Sequence, residues 1–177
     1  MKNLIYVLLF IPVMLTAQQL RVDSANSYIT YEASHPVHDW SGTSDAVQGV
    51  IIMENDMPTQ MAIAATVSSF NSKNSNRDAH ALEVLDALRF PKVSFYSDEI
   101  NLDGEALSLS GKLKFHGVSI SLETKASWIK VQEKWILEGA FDVTPSKFDI
   151  KLPSFMLVKM RDNMRISFRL ELRTFVP

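Results

Sequence analysis

The stretch MRISFRLELRTF, residues 164–175, constrains the fold more than any other. Met164, Ile166, Phe168, Leu170 and Leu172 alternate without a break with Arg165, Ser167, Arg169, Glu171 and Arg173. Only an extended strand sends successive side chains to opposite faces. A strand with one apolar and one charged face lies between a core and water. Three further segments repeat the pattern. In ALSLSGKLKF, Leu107, Leu109, Leu113 and Phe115 alternate with Ser108, Ser110, Lys112 and Lys114. In VSISLETKASW, Val118, Ile120, Leu122, Ala126 and Trp128 oppose Ser119, Ser121, Glu123, Lys125 and Ser127. WILEGAFDV offers Trp135, Leu137, Phe141 and Val143. Weaker alternation predicts strands over 28–34, 46–53, 61–70 and 93–100.

Turn residues separate these runs at Asn101-Leu102-Asp103-Gly104, His116-Gly117 and Val131-Gln132-Glu133-Lys134. Links this short join antiparallel neighbours. The reading is all-β, with about eight strands arranged as a sandwich or a closed barrel. An eight-stranded barrel is either filled by its side chains or holds one small ligand. The length of 177 residues suits one domain, and no internal repeat or linker-like tract divides it. A formal net charge of -2 with no basic block excludes a nucleic-acid footprint. With no cysteine, disulfides, thiolate metal sites and a thiol nucleophile are excluded.

The N-terminus, MKNLIYVLLFIPVMLTAQQ, has the form of an export signal. Lys2 precedes an apolar run from Leu4 to Leu15, and Thr16-Ala17 follows it. The run is too short for a bilayer, which needs roughly 20 helical residues, but suits a signal-peptide core. Residues 1–17 are therefore expected to be removed, leaving a domain over 18–177 in the periplasm or medium. No second long apolar segment follows, so an integral membrane protein is not expected.

Alternation stops at SNRDAHALEVLDALRFPKVSF, residues 75–95. Ser75 and Asp78 resemble a capping box, and Asp78 suits the positive end of a helix. Leu82, Leu85 and Leu88 recur at helical spacing, and Pro91 forces Phe90 out of the helical region. A lid helix over 76–89 is expected, covering one end of the strands. Arg77, Asp78 and His80 form a polar cluster at its start. Either they meet a ligand's polar head, for which a guanidinium is well shaped, or they cap and pair within the lid.

Other chemistry is thinly supported. His35, His38, His80 and His116 could converge on a metal, but Pro36 keeps the H-x-x-H pair off a helix face. The H-E-x-x-H arrangement, a G-x-S-x-G elbow and a Gly-rich phosphate loop are all absent from the sequence, so no catalytic residue and no cofactor are assigned.

The segment NRDAHALEVLDALRFPKVSF resembles the signature of the YceI-like lipid/polyisoprenoid-binding family, through Arg77, Asp78, His80, Leu82, Pro91 and Phe95. VDSANSYITYEASH, VQGVIIMENDMP, GKLKFHGVSISLE and VTPSKFDIK follow the family's other segments in order, so the resemblance spans roughly residues 20–175. Two stretches depart from it: Glu83-Val84-Leu85-Asp86 replaces a Phe-Phe-Asp step, and SHPVHDWSGTSD brings His35, His38 and Trp40 into the first loop. The resemblance implies a lipocalin-like eight-stranded antiparallel β-barrel with one short inserted helix over an end. It also implies an exported binding protein that carries or sequesters an isoprenoid or fatty-acyl lipid in the bacterial envelope, and it leaves a homodimer open. The lining would then come from Ile29, Tyr31, Leu109, Leu113, Leu122, Trp128, Phe141, Ile166, Phe168 and Leu170, with Met53, Met61 and Met164 as adaptable fillers. Periodicity alone favours a filled core; the resemblance is what implies a cavity. An envelope enzyme or metal-binding protein built on the histidines is the alternative in another class.

Overall fold

The computed structural model describes residues 18–155 and 157–175; the apolar run and Ala17, on which the export reading rests, lie outside the described residues. The chain forms β1 (Gln18–Val22), β2 (Tyr28–Ser34), β3 (Asp39–Ser44), β4 (Val47–Glu54), β5 (Met57–Thr66), α1 (Ser75–Val84), β6 (Lys92–Asp103), β7 (Ala106–Phe115), β8 (Val118–Val131), β9 (Lys134–Val143), β10 (Ser154–Phe155), β11 (Val158–Lys159) and β12 (Met164–Thr174). The circuit β1-β4-β5-β6-β7-β8-β9-β12 closes when β1 pairs again with β12. Every pairing is antiparallel, so this is the expected eight-stranded barrel. The β1–β12 pairing closes the circuit, although β3 has only the Thr43↔Asn71 bridge on its far side and β8 and β9 part on the mouth side of Ala126↔Gly139.

β2 and β3 complete the wall rather than add to it. β12 pairs with β1 through Leu20↔Thr174 and Val22↔Leu172, then with β2 through Arg169↔Tyr28 to Met164↔Ala33. β1 and β2 are thus one wall strand interrupted at 23–27, and β3 and β4 are its interrupted partner. Ser27, buried at the break, repairs the ladder there: its hydroxyl accepts from the Glu171 N–H at 2.9 Å and donates to the Asp23 carbonyl at 2.7 Å. The segment 39–44 had been expected to be loop; cross-strand pairing with β2 makes it a strand despite its polar sequence. The strand expected over 61–70 instead spans Met57–Thr66 and ends in a 3-10 turn, Val67–Ser69.

A charged cluster ties the break to β12. Arg173 reaches Asp23 at 2.7 Å and Glu171 at 3.0 Å, and Lys134 reaches Glu171 at 2.7 Å. The Lys134 ammonium holds Glu171 below the usual carboxylate range against the effect of burial. The Asn26 amide does most to hold Asp23 low, again against burial and with help from Arg173. A depressed folded pKa contributes stability that is complete above the unfolded carboxyl value, about 4, and is lost as pH falls through the folded value. Glu171→Gln is expected to lower stability at neutral pH and flatten its acid limb. An unchanged slope in acid melts would remove Glu171 from that role.

Two buried clusters bracket the barrel interior, the larger at the base and a smaller one on the mouth side. At the base, Leu20, Ile51, Met53, Met61, Leu107 and Leu172 pack together, each at most 2% exposed. Trp128 belongs to this cluster, stacked on Trp135 with ring centroids 4.7 Å apart. At the other end β8 and β9 part, and α1 and residues 144–155 and 157–163 border the opening. Phe148, in the 3-10 turn Pro145–Phe148, is fully buried there and meets the Phe115 ring edge-on at 5.6 Å. Its carbonyl accepts from His116 Nδ1 at 2.9 Å. His116 and Gly117, at φ +47° and +80°, form the two-residue β7–β8 turn, whose handedness matches the strand twist.

The lid helix is shorter than expected and differently capped. Asn74, not Ser75, is the N-cap, its side chain accepting from the Arg77 N–H at 3.1 Å. Asp78 reaches back instead to the Ser72 N–H, at 3.1 and 3.2 Å. The helix ends at Val84, and Asp86 at φ +43° turns the chain before Pro91 is reached. Leu88 therefore lies beyond the helix and is exposed. Spacing of three at 100° per residue rotates steadily away from one face, so a third leucine would have left the stripe even in a longer helix.

Candidate functional site

Above the packed base the barrel is hollow, with a cavity of about 490 Å³. That is within the range of small-molecule sites, roughly 300–1,000 Å³. Its floor is Met61, Ile63, Leu109, Leu137 and Leu170, and its sides carry Leu113, Leu122, Phe95, Phe141, Ile166 and Phe168. Of the ten residues nominated as lining, nine stand on this wall; Trp128 does not, because the base core takes it. Met61 and Met164 line the cavity, whereas Met53 is buried in the base. Leu82 and Leu85 face it from the lid, and Leu88 does not. Phe70, Phe148, Ile150 and Met160 also line it, though the sequence reading passed them over. They lie outside regular strands, where no period marks an inward face.

The wall stays hollow because some rings lie flat against it. A Cβ at Gly42 would stand 2.5 Å from Tyr31 Cε1, and Gly42 is Tyr31's cross-strand partner. A Cβ at Gly139 would stand 2.9 Å from Phe168 Cζ, its partner on β12. Each glycine opens the space its partner's ring occupies, so the ring covers the wall instead of crossing the lumen. The nearest atoms that Gly42→Ala meets all belong to the Tyr31 phenol ring. It is expected to swing Tyr31 into the mouth, weakening apolar-ligand affinity with little loss of melting temperature. Unchanged affinity for a fluorescent fatty acid would show that the ring does not need that space.

Polar groups gather at the mouth. Arg77, Asp78 and His80 all border the cavity, together with Tyr31, Trp40, His35 and His38. The Arg77 guanidinium carbon stands 5.6 Å from the Trp40 ring centroid. Among the described residues it makes no ion pair. Asp78 is engaged with the Ser72 backbone, and His80 sits 3.6 Å from Glu83 on the exposed rim. Burial pushes the Tyr31 phenol above its ordinary value, Asp78 adds to the rise, and Arg77 and the Trp40 indole oppose it. Tyr31 is thus a neutral hydroxyl at neutral pH.

The histidines do not converge. His35, buried, accepts from the Val37 N–H through Nδ1 at 3.2 Å, so its Nε2 donates to the Val158 carbonyl at 2.9 Å. His38 lies between the His35 and Trp40 rings, at 5.8 and 5.5 Å. His116 packs on Phe90 at 4.7 Å. Among the described residues no group of three or more His, Asp or Glu could hold a metal ion. No helix among them is long and apolar enough to cross a membrane.

Comparison with known proteins agrees with this architecture. The chain superposes on BcnA of Burkholderia cenocepacia with a TM-score of 0.77 at 17% identity, covering 85% of this chain and 98% of that one. It superposes on a polyisoprenoid binding domain from Saccharophagus degradans with a TM-score of 0.71 at 10% identity, covering 88% and 98%. In sequence it is 27% identical over 110 residues to a UPF0312 protein of Enterobacter sp. (strain 638), covering 58% of this chain and 57% of that protein. It is 24% identical over 127 residues to Protein YceI of Salmonella newport, covering 67% and 66%. The matches thus span less than two thirds of these relatives' own length. The family model described as the YceI-like domain matches residues 20–172. With that match over most of its length and a closed barrel bearing one inserted helix, the chain belongs to the YceI-like domain family.

Proposed function

We propose that this protein binds a long apolar lipid, of isoprenoid or fatty-acyl type, in the hollow half of its barrel, and carries or sequesters it in the bacterial envelope after export. The observation that carries this reading is the cavity itself: walls that are apolar apart from the Thr124 hydroxyl beside Leu109, a packed base, and charged and imidazole groups only at the mouth. Burying a chain there gains roughly 0.8 kcal/mol per CH2 removed from water. The match to a polyisoprenoid binding domain supports the ligand class. The mouth groups hold their neighbours rather than forming a nucleophile and base, which favours a binding protein over an enzyme.

Native mass spectrometry of protein purified from envelope fractions tests the reading. A co-purifying species of lipid mass is expected. A bound metal would favour the histidines instead, and an apoprotein that also refuses added lipid would overturn the proposal. Cell fractionation should find a chain beginning near Gln18 outside the cytoplasm. Full-length protein in the cytosol would remove the envelope role.

Arg77 meets the ligand's head in this reading, since its partner is an aromatic face rather than a carboxylate. Arg77→Ala is expected to weaken binding of a fatty acid by about tenfold, the scale of one charge-assisted hydrogen bond, and to spare its neutral amide. Equal loss for both ligands, with a lowered melting point, would make Arg77 a purely structural residue.

A further inference from the structure

We infer that the mouth end of the barrel is a docking face for an anionic lipid bilayer, with Leu88 and Leu157 as apolar anchors on opposite sides of the opening. The inference rests on the cavity reading above, and extends it to the surface from which a ligand enters.

Among the described residues, Leu88 and Leu157 are the two large apolar side chains left fully exposed. Both lie at the mouth end. Leu157 tops the β10–β11 hairpin, which is held against the β2–β3 turn by His35 Nε2 on the Val158 carbonyl and by the Arg161 N–H on the Ser34 carbonyl. Val37, the next most exposed apolar residue, stands on the other side of the same imidazole. Leu88 is two residues before Phe90, whose ring packs on His116 in the β7–β8 turn. In the eight-strand circuit the β2–β3 turn joins the first and second wall strands, and the β7–β8 turn joins the fifth and sixth. The two leucines therefore flank the opening from opposite rims.

Backbone geometry does not account for them. Leu157 has φ +65°, a conformation that favours glycine or asparagine. Leu88 follows the turn at Asp86 and covers nothing. An exposed leucine in a strained turn is unfavourable in water and favourable in the interfacial region of a bilayer.

Charge selects the kind of surface. The two segments crossing the mouth, residues 67–91 and 144–163, carry seven Lys or Arg against five Asp or Glu. Lys147, Lys151, Lys159 and Arg161 all lie on the second, and Arg89 adjoins Leu88. The tight turns at the base carry Asp56, Glu105 and Glu133 and no cation. The two segments crossing the mouth thus carry a net charge of +2, while at the base Lys130, Lys134 and Arg173 offset the acidic turns. Anionic lipids attract the cations of the mouth segments, which turns the cavity toward the membrane.

Vesicle flotation with the mature chain tests this, comparing phosphatidylcholine with equimolar phosphatidylcholine and phosphatidylglycerol. The protein is expected to float with the anionic vesicles, less with the neutral ones, and less in high salt. The double variant Leu88→Asp, Leu157→Asp should reduce the bound fraction by at least about tenfold with an unchanged melting temperature. The base-end double variant Met57→Asp, Val131→Asp should bind as wild type does. Failure of wild type to float, equal flotation of the mouth variant, or loss confined to the base variant overturns the inference. So does a wild-type dimer in sedimentation that the mouth variant converts to monomer without any vesicle binding, which would assign the leucines to self-association. A fluorescent fatty acid in vesicle-free solution keeps the two readings apart: uptake without flotation sinks the docking face alone, and flotation without uptake sinks the cavity ligand alone.

Discussion

Phe168→Arg is expected to abolish lipid binding and to destabilise the barrel by about 3 kcal/mol or more, the scale set by an uncompensated charge in an apolar interior. Phe168 sits in the middle of β12, opposite Gly139 on β9 and Ile29 on β2, with its ring 6.2 Å from Phe141 on the cavity wall. A guanidinium there cannot shed its proton. The carboxylate that borders the cavity, Asp78, is at the mouth and already accepts from the Ser72 backbone. Arg169→Ala, one residue along, removes an outward pair with Glu138 at 2.9 Å whose side chains are 38% and 55% exposed. A pair so wet is worth less than about 1 kcal/mol. Urea melts and fatty-acid titrations of the two variants measure the contrast, and comparable effects would mean that the faces of β12 are reversed.

Phe148→Ala is expected to cost about 3–5 kcal/mol, the usual range for a buried phenylalanine. For a domain of this size that corresponds to about 6–20 °C in melting temperature. Phe148 is fully buried, meets Phe115, and joins Leu113, Val143 and Ile150 in the cluster that closes the mouth side of the barrel. Leu85→Ala is the comparator. Leu85 borders the cavity from the lid and is only partly buried, so its loss should sit at or below the low end of the 2–5 kcal/mol typical of Leu→Ala. If Phe148→Ala costs no more than Leu85→Ala, the 3-10 turn is a loose cover and not part of the core.

Most of the wall was legible in the sequence because a strand writes its two faces as a period of two. β7, β8, β9 and β12 were read from their own residues, and the inward set Leu109, Leu113, Leu122, Phe141, Ile166, Phe168 and Leu170 followed from the same pattern. The segments that cover the mouth were not legible in this way. Phe70, Phe148, Ile150 and Met160 reach the cavity from turns and irregular chain. The lid was placed correctly but read too long, because leucines three apart look like a stripe until their rotation is followed. β3 was missed because it is a strand by virtue of its neighbour β2, and DWSGTS carries little apolar signal of its own.

The sequence by itself determined that this chain forms antiparallel strands with one helix inserted among them, since alternation, short turns and helical leucine spacing are local signals. A barrel rather than a sandwich was implied by the family resemblance and is shown by the β1–β12 pairing. Only the tertiary structure decided which half is hollow. The same alternation lines the packed base, where Trp128 stacks on Trp135, and the open upper half, where Tyr31 and Phe168 lie against Gly42 and Gly139. Whether an inward ring fills the lumen or covers the wall depends on what the neighbouring strand places beside it. That is set by pairing register between distant residues, which no local period records.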